Sequence, residues 1–453
     1  MKRTARDPVF LKNLIKLTLP IAFQSMMLAA VAAGDAIMLG RLDQDSMTAV
    51  SLAALIQFVQ NSFFAAVTGT LVILGAQYRG KGDERTLDDL FAMSLRIAGI
   101  IGVVFFLACT FIPHLLMCLF TNDPLLREIG AGYLKIAAWS YLIAGISQCC
   151  LASMKIIDHA SRSAWISSGA VVINILLNAV FIFGLFGFPA LGAKGAACAT
   201  VAARVIELVW SLVSSYQKTF LRPRLKALLS HKRALFRDFL KCALPILGAW
   251  LLWGIGLTVY TSIMGHLGRE AAAANSISAV VRDLMCCLCN GISAAGGILV
   301  GNELGKGKLD LGREYGDRLA VLSFVSGGIT TALVLAVTPF VTRFMKLTDE
   351  ARSYLVWMLV IMSVYIAARA VNTIVINGIF AAGGDTAFDM YSLSVVMWGV
   401  AVPLSLLGAF VFHWPVLVVF SCTCLDEIVK IPWVMAHYKR YKWVKDLTRE
   451  RTD

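Results

Sequence analysis

Residues 19–40 read LPIAFQSMMLAAVAAGDAIMLG, an apolar stretch that carries one acidic side chain, Asp35. The stretch has the length of ~20 apolar residues that an α-helix needs to cross a bilayer. A charged Asp at the bilayer centre costs about 2.5–3.5 kcal/mol, so such a residue normally faces a protein interior or a wet cavity and often belongs to an ion path. Asp35 is therefore either a functional carboxylate inside the protein or a residue at the helix end, among lipid headgroups.

Similar apolar runs recur along the whole chain of 453 residues, which is 58% hydrophobic and 15% charged, with a mean hydropathy of +0.75. A soluble protein has about 25% charged residues. Because backbone polar groups in lipid must be satisfied internally, we expect the runs to be helices. The predicted fold class is an all-α integral membrane protein with twelve transmembrane helices, placed near residues 14–38, 47–75, 90–113, 130–152, 165–187, 195–216, 240–264, 271–300, 317–340, 350–379, 389–412 and 416–438.

The second half of the chain repeats the start of the first at an offset of 225 residues, in a register that holds without a gap across about 65 residues. Pro20 aligns with Pro245, and the Gly-Lys-Gly sequence at 80–82 aligns with the one at 305–307. Six helices in each half give both halves the same orientation in the membrane. The sequence therefore predicts two pseudo-symmetric six-helix bundles that are parallel repeats.

The positive charge predicts the orientation. The net charge is +13, and with the N-terminus inside we assign 29 of the 41 Lys and Arg residues to cytoplasmic segments and 8 to external ones. The positive-inside rule accounts for this charge without a nucleic-acid partner. We predict a first lobe at 1–216, a basic cytoplasmic linker at 217–238 and a second lobe at 239–453 with a basic cytoplasmic tail. The protein would lie in the cytoplasmic membrane, with both termini in the cytoplasm.

Polar side chains interrupt the apolar pattern in the first half. Asn174 and Asn178 are spaced i, i+4, on one face of a helix, and Thr200 lies on the next helix, which begins with small residues. Together with Asp35, these oxygen donors would suit a hard cation or a protonatable network. The alternative is that the Asn and Thr side chains only hydrogen-bond neighbouring helices together.

A second group of residues is a candidate for a substrate cavity. Met and aromatic side chains suit varied apolar cations, although core or lipid-facing packing is the common role of each residue alone. Arginines within helices can bind substrate or form ion pairs, such as Arg204 with Glu207 at i, i+3. The candidates are Met26, Phe58, Trp253, Tyr260, Arg282 and Arg369.

Pro20 and Pro245 lie early in the first helix of each half. Each removes a backbone hydrogen bond and can kink its helix, so both are candidate hinges. Tolerance of proline near a helix start is the alternative.

Enzyme chemistry has little support. No HExxH or GxSxG motif occurs, and the eleven cysteines lie almost all in apolar segments, where they are expected to pack as small core residues. The sequence GAQYRGKG at 75–82 resembles a phosphate-binding loop but has Gly82 where Ser or Thr should hold Mg²⁺. A membrane-embedded transferase would need a catalytic loop, and the loops are short. We expect no cofactor, and no metal other than a Na⁺ at Asp35.

Several motifs occur in order along nearly the whole chain: Pro20 with Asp35-x-x-x-x-Gly40, the two Gly-Lys-Gly turns, NILLN at 174–178, GAKGAACAT at 192–200, GIFAAGGDT at 378–386 and DEIVK at 426–430. With these motifs the sequence resembles the multidrug and toxic compound extrusion (MATE) family. The resemblance implies a V-shaped pair of six-helix bundles that exports drugs or metabolites in exchange for H⁺ or Na⁺.

The resemblance also implies a cation-coupling site in the first lobe, formed by Asp35, Asn174, Asn178 and Thr200. Asn178 stands where the archaeal-type family pattern has Asp, which should weaken Na⁺ binding or leave Asp35 as the sole ionisable centre for H⁺. The acidic positions that some members have in the second lobe fall on Trp253 and Ala370. Coupling is therefore expected to run through the first lobe. In the repeat, Tyr260 stands where Asp35 stands, so the carboxylate belongs to one lobe only.

The predicted function is secondary active antiport by alternating access of the two lobes. The protein would export drugs or other organic compounds, which are expected to be cationic, in exchange for H⁺ or Na⁺. The expected partners are a small-molecule substrate and the lipid bilayer, without nucleic acid, and we expect a functional monomer. The alternative is a flippase or exporter of a lipid-linked precursor, which more basic residues along the cavity would favour.

Overall fold

The structure is a computed structural model that describes residues 8–40, 43–216, 232–344 and 347–449, without the side chains of 31–33, 35–37, 40 and 344. Asp35 lies on a described helix, but its side chain lies outside the described part. Most of the predicted linker, 217–231, also lies outside it.

The first half of the chain forms six long helices. These are α1 (Pro8–Gly40), α2 (Gln44–Lys81), α3 (Glu84–Phe111), α4 (Pro124–Ile156), α5 (Ala160–Phe183) and α6 (Ala193–Ser215). A short helix at Pro113–Cys118 connects α3 to α4, and a 3₁₀ turn at Leu185–Gly187 follows α5.

The second half forms six more. They are α7 (Arg233–His266), α8 (Arg269–Gly305), α9 (Leu309–Phe344), α10 (Asp349–Asn372, continued as a π-helix at Thr373–Phe380), α11 (Ala387–Val411) and α12 (Val416–Thr423 and Leu425–Tyr438). Two π-helical segments lie within α11, at Met397–Ala401 and Leu407–Val411. No strand occurs within the described ranges. The predicted all-α, twelve-helix fold is confirmed.

Eleven of the described helices are long and apolar enough to cross a membrane. The twelfth, α12, is divided at Cys424 into two shorter helices. Several helices begin before the predicted position; α7 begins at Arg233 and α9 at Leu309. The apolar pattern marks only the part of a helix that lies in hydrocarbon, whereas the helix itself continues through polar residues beyond it.

Equivalent positions in the two halves repeat the same contacts. A Cβ placed on Gly102 would lie 3.0 Å from the carbonyl oxygen of Leu142, and one placed on Gly327 would lie 3.0 Å from that of Ala367. The second pair aligns with the first in the register of the repeat. Asp123 caps α4, and Thr348, which takes its place in the same register, caps α10. The duplication read from the sequence is therefore also present in the packing of α3 on α4 and of α9 on α10.

The chain divides into two compact units, and two of the four divisions fall beside the two candidate hinges. One unit comprises Phe23–Arg79 and Asp83–Ala243; the other comprises Met1–Ala22, Gly80–Gly82 and Leu244–Asp453. Helix α1 is thus divided two residues after Pro20, and α7 is divided between Ala243 and Leu244, one residue before Pro245. The lobe boundaries drawn from the repeat stay a prediction.

The C-terminal tail packs within the unit that contains Leu244–Asp453. Trp443 is fully buried, and a Cβ on Gly316 would lie 2.2 Å from its indole ring, so only glycine fits there. The hydroxyl of Tyr438 donates to Asp317, and the ammonium of Lys81 donates to the carbonyl of Arg449 at 2.9 Å. The tail is therefore part of the packed structure as well as a source of positive charge.

Candidate functional site

The polar face of α5 is buried. Asn178 is fully buried and Asn174 nearly so, and the amide of Asn178 donates to the side-chain oxygen of Asn174 at 3.3 Å. Thr200 on α6 is half-buried, and its hydroxyl donates to the carbonyl of Ala196 in its own helix at 3.0 Å. The structure brings the two asparagines together, while the hydroxyl proton of Thr200 is used within α6.

Helix α1 approaches this face close to Asp35. A Cβ placed on Gly34 would lie 3.9 Å from Cγ1 of Ile175, the residue next to Asn174. The turn of α1 that carries Asp35 therefore lies beside the turn of α5 that carries Asn174. The contacts of the Asp35 side chain lie outside the described part, so its place in the site stays a prediction. Among the side chains that are described, no three His, Cys, Asp or Glu residues are grouped to hold a metal ion.

Both candidate hinge prolines lie inside continuous helices, Pro20 in α1 and Pro245 in α7. Close packing surrounds Pro20: a Cβ on Gly291 of α8 would lie 2.8 Å from Cβ of Ala22 and 2.9 Å from the carbonyl oxygen of Thr18. Both contacts lie within the unit that contains Met1–Ala22. The start of α1 is thus held by α8 up to the residue where the compact unit ends.

The first lobe carries an ion pair between a buried carboxylate and a partly exposed arginine. Glu207 on α6 is almost fully buried, and its carboxylate lies 2.7 Å from the guanidinium of Arg204. The hydroxyl of Ser147 on α4 donates to the same carboxylate at 3.2 Å. Arg204 is therefore engaged in a structural ion pair, as its spacing from Glu207 predicts.

The second lobe carries a larger charged network, centred on Glu427 of α12. The Glu427 carboxylate lies 3.2 Å from the guanidinium of Arg369 and 3.7 Å from the ammonium of Lys430. The amide of Asn372 on α10 donates to this carboxylate at 2.7 Å and to the backbone carbonyl of Glu427 at 2.8 Å. Asp426 is also buried, and one of its carboxylate oxygens accepts the backbone N–H of Glu427 at 2.8 Å.

The candidate cavity residues fall in both units. Met26 is exposed and Phe58 half-buried in one; Tyr260 is buried in the other. The guanidinium of Arg369 lies 5.2 Å from the centre of the Trp253 ring, and Arg282 pairs with Asp283 at 2.9 Å. Both arginines and one aromatic face therefore already have partners inside the protein. Their role in substrate binding stays a prediction.

Sequence reasoning did not identify the Glu427 network as a site. Residues 426–430, DEIVK, were informative only as a family motif. The sequence signal that could identify this network is the presence of three charged side chains within an apolar helix, because ionisable residues inside a membrane are functional candidates by default. The participation of Asn372 has no comparable signal in the sequence, since it depends on how α10 packs against α12.

Comparisons with known proteins agree with this architecture. A model of the MatE family matches residues 20–180 and 245–407, so its two matches begin at the two aligned prolines. An uncharacterized transporter, YisQ of Bacillus subtilis, is 25% identical over 96% of this chain and 95% of its own length. The multidrug resistance protein NorM of Burkholderia vietnamiensis is 26% identical over 89% of each chain.

A solved structure of a mutant of the Vibrio cholerae MATE transporter VcmN matches this structure with a TM-score of 0.87, at 16% identity, over 95% of this chain and 97% of that one. This likeness shows the fold. Members of the family are membrane transporters that act on small molecules. Since the family model covers well over half of the sequence, in both halves of the repeat, the chain belongs to the MatE family of multi-pass membrane transporters.

Proposed function

We propose that this protein is a secondary active antiporter that exports drugs or other organic compounds, with cations as the expected class, in exchange for H⁺ or Na⁺. The observation that carries the proposal is the buried Asn174–Asn178 pair beside the turn of α1 that contains Asp35. Polar groups with no contact to water cost free energy unless they have partners, so a polar face inside a membrane bundle indicates an ion or proton site. Relatives named multidrug resistance proteins support drug efflux as the transport reaction.

In this proposal Asp35 is the residue that takes up the coupling ion, and Asn174, Asn178 and Thr200 complete its site. When Asp35 binds H⁺ or Na⁺, its negative charge is neutralised, so its interactions with α5 and α6 change. The start of α1 is held by α8 as far as Ala22, and the rest of α1 belongs to the other unit. Pro20 lies next to that division, and Pro245 lies next to the division in α7. We therefore propose that α1 and α7 bend at these two prolines during alternating access.

The test is transport by purified protein in liposomes. Ethidium efflux is measured with a Na⁺ gradient alone and with a pH gradient alone, for the wild type and for Asp35→Asn. We expect one gradient to drive export by the wild type, and the variant to lose gradient-driven export while keeping a normal unfolding temperature. Gradient-driven export by Asp35→Asn at the wild-type rate would overturn the assignment of Asp35.

The proposed orientation places both termini in the cytoplasm and the α3–α4 connection outside. All eleven cysteines lie in described residues, and Cys118 in that connection is the exposed one. A membrane-impermeant maleimide added to intact cells should therefore label the wild type and fail to label Cys118→Ser. Labelling only after the membrane is opened would reverse the orientation.

A lipid-linked precursor is the alternative substrate, and its phosphates would need cationic side chains. The three candidates, Arg204, Arg282 and Arg369, each pair with a carboxylate, at 2.7, 2.9 and 3.2 Å. Their charges are therefore compensated within the protein, which favours an organic cation over an anionic lipid.

A further inference from the structure

We propose that Asp426 is a second proton-binding carboxylate, located in the second lobe, which gains and loses H⁺ during transport while Glu427 stays ionised. This inference deepens the proposed antiport and rests on it for its role in the cycle. At the two second-lobe positions where some members of the family carry an acidic residue, this chain has Trp253 and Ala370. The carboxylate proposed here lies on a different helix, in the charged network of α12.

Glu427 is held in its charged form by its neighbours. Two cationic groups, from Arg369 and Lys430, lie within 3.7 Å of its carboxylate, and the amide of Asn372 donates to it. A buried charge is tolerated when it is paired and hydrogen-bonded in this way. Glu427 therefore balances the fixed positive charges of the second lobe and is a poor candidate for proton exchange.

Asp426 differs from its neighbour although it is buried equally deeply. It is 1% exposed, and its hydrogen bond comes from the backbone N–H of Glu427. Within the described ranges no Lys or Arg nitrogen lies within ion-pair distance of it. A buried carboxylate without an ion-pair partner binds a proton readily, because the neutral form is the cheaper one to bury. The ionisable groups that face it are Cys424, Glu427 and Lys430 on α12, Tyr365 and Arg369 on α10, and Tyr260 on α7.

Two buried polar atoms, one on a residue that faces Asp426 and one on a residue that contacts Glu427, have no hydrogen-bond partner in the part of the chain that the structure describes. They are the hydroxyl of Tyr260, a residue 8% exposed, and the side-chain oxygen of Asn372, a residue 2% exposed. Leaving such a group unpaired costs about 1–3 kcal/mol, so each is expected to gain a partner in some state of the protein.

The two atoms match the two protonation states of Asp426. The Tyr260 hydroxyl can donate to an ionised carboxylate, whereas the Asn372 oxygen can accept the proton of a neutral carboxyl group. Tyr260 also occupies the position that Asp35 has in the first half of the repeat. In the second lobe, the carboxylate of Asp426 on α12 would thus face Tyr260, the residue that corresponds to Asp35 of the first lobe.

Infrared difference spectroscopy between low and high pH tests the protonation directly, without any substrate. Protonated carboxyl groups have a C=O stretch separate from that of carboxylates. All proteins compared carry Asp35→Asn, which removes the other proposed proton site. In this background we expect the full-length protein at low pH to show a buried-carboxyl band that is lost when Asp426→Asn is added. Asp426→Glu should keep a band at a changed frequency. Asp389→Asn removes a half-buried carboxyl near Lys430, and Asp283→Asn removes an exposed one; both should keep the band.

In the Asp35→Asn background, a band that persists when Asp426→Asn is added, or that disappears when Asp389→Asn is added, would overturn the proposal. Should Asp426→Asn fail to fold, Tyr260→Phe decides the question. Loss of the hydroxyl removes a donor to the ionised form, so the band should persist to higher pH; an unchanged titration contradicts the proposal. Ethidium export with imposed gradients is measured in parallel. A band in the Asp35→Asn background, together with no gradient-driven export by the wild type, would reject the proposed antiport and leave the proton site standing.

Discussion

The last helices of the two lobes, α6 and α12, carry comparable glutamates with different surroundings. Glu207 accepts a hydrogen bond from Ser147 and pairs with Arg204; Glu427 accepts one from Asn372 and pairs with two cations. Ser147 and Asn372 align in the register of the repeat and are thus equivalent. A buried glutamate bonded to the fourth helix of its own half therefore recurs in both lobes. The two glutamates differ in the number of positive charges that each one balances, which is one for Glu207 and two for Glu427.

The fifth helices of the two lobes also differ, but here the first lobe has the more polar side chains. In the first lobe α5 carries the Asn174–Asn178 pair. When α5 and α11 are aligned at their first residues, Ala401 and Ser405 take these places, and the Ser405 hydroxyl donates to the carbonyl of Ala401 at 2.7 Å. The first lobe thus offers neutral oxygen donors near Asp35, whereas the second concentrates charge on α10 and α12. The two lobes are built alike and differ in where their buried polar and charged side chains lie.

The largest expected effect separates the two glutamates. Glu427→Gln leaves Arg369 and Lys430 buried without their shared counter-charge, which should lower the free energy of unfolding by about 3–5 kcal/mol. Glu207→Gln leaves only the partly exposed Arg204, so we expect a clearly smaller loss, of about 1–2 kcal/mol. Thermal unfolding in detergent measures both, with Asp349→Asn as the control, because Asp349 is fully exposed and its partner Arg352 is also exposed. Equal losses for the two glutamates would contradict the comparison.

The sequence predicted the twelve helices and the repeat because both can be recognised from the order of residues along the chain, without knowing which helices pack together. Runs of apolar residues identify helices such as α3, and the recurrence of Pro20 as Pro245 identifies the duplication. Asn174 and Asn178 were also predictable as a pair, since i, i+4 spacing places them on one face. The Glu427 network was not, because it joins α10 to α12 through side chains 55–58 residues apart. Tertiary packing selects those partners, and no helical periodicity encodes them.

The repeat-related glycines give the next largest effect. Gly102→Ala and Gly327→Ala each place a Cβ 3.0 Å from a backbone carbonyl that cannot move aside, so each should lower stability by about 1–3 kcal/mol. Similar losses would mean that the close approach of the third and fourth helices is equally important in both lobes. The matched controls are Gly99→Ala and Gly328→Ala, where the added methyl group has no neighbour within 4 Å. There the better helix propensity of alanine should leave stability unchanged or raise it by up to about 1 kcal/mol.

The smallest expected effect addresses the choice of coupling ion in the first lobe. Asn178→Asp restores the carboxylate of the archaeal-type pattern beside Asn174, close to the turn of α1 that carries Asp35. A second carboxylate attracts Na⁺ more strongly, and a gain of about 1.4 kcal/mol would lower the Na⁺ concentration for half-maximal ethidium export tenfold. Asn178→Leu is the matched control, because it removes the amide without adding charge and should weaken coupling to either ion. If Asn178→Asp instead leaves the Na⁺ dependence of export unchanged, the α5 face does not bind the coupling cation. Its asparagines then serve only to join helices, and the search for the coupling ion moves to the charged network of the second lobe.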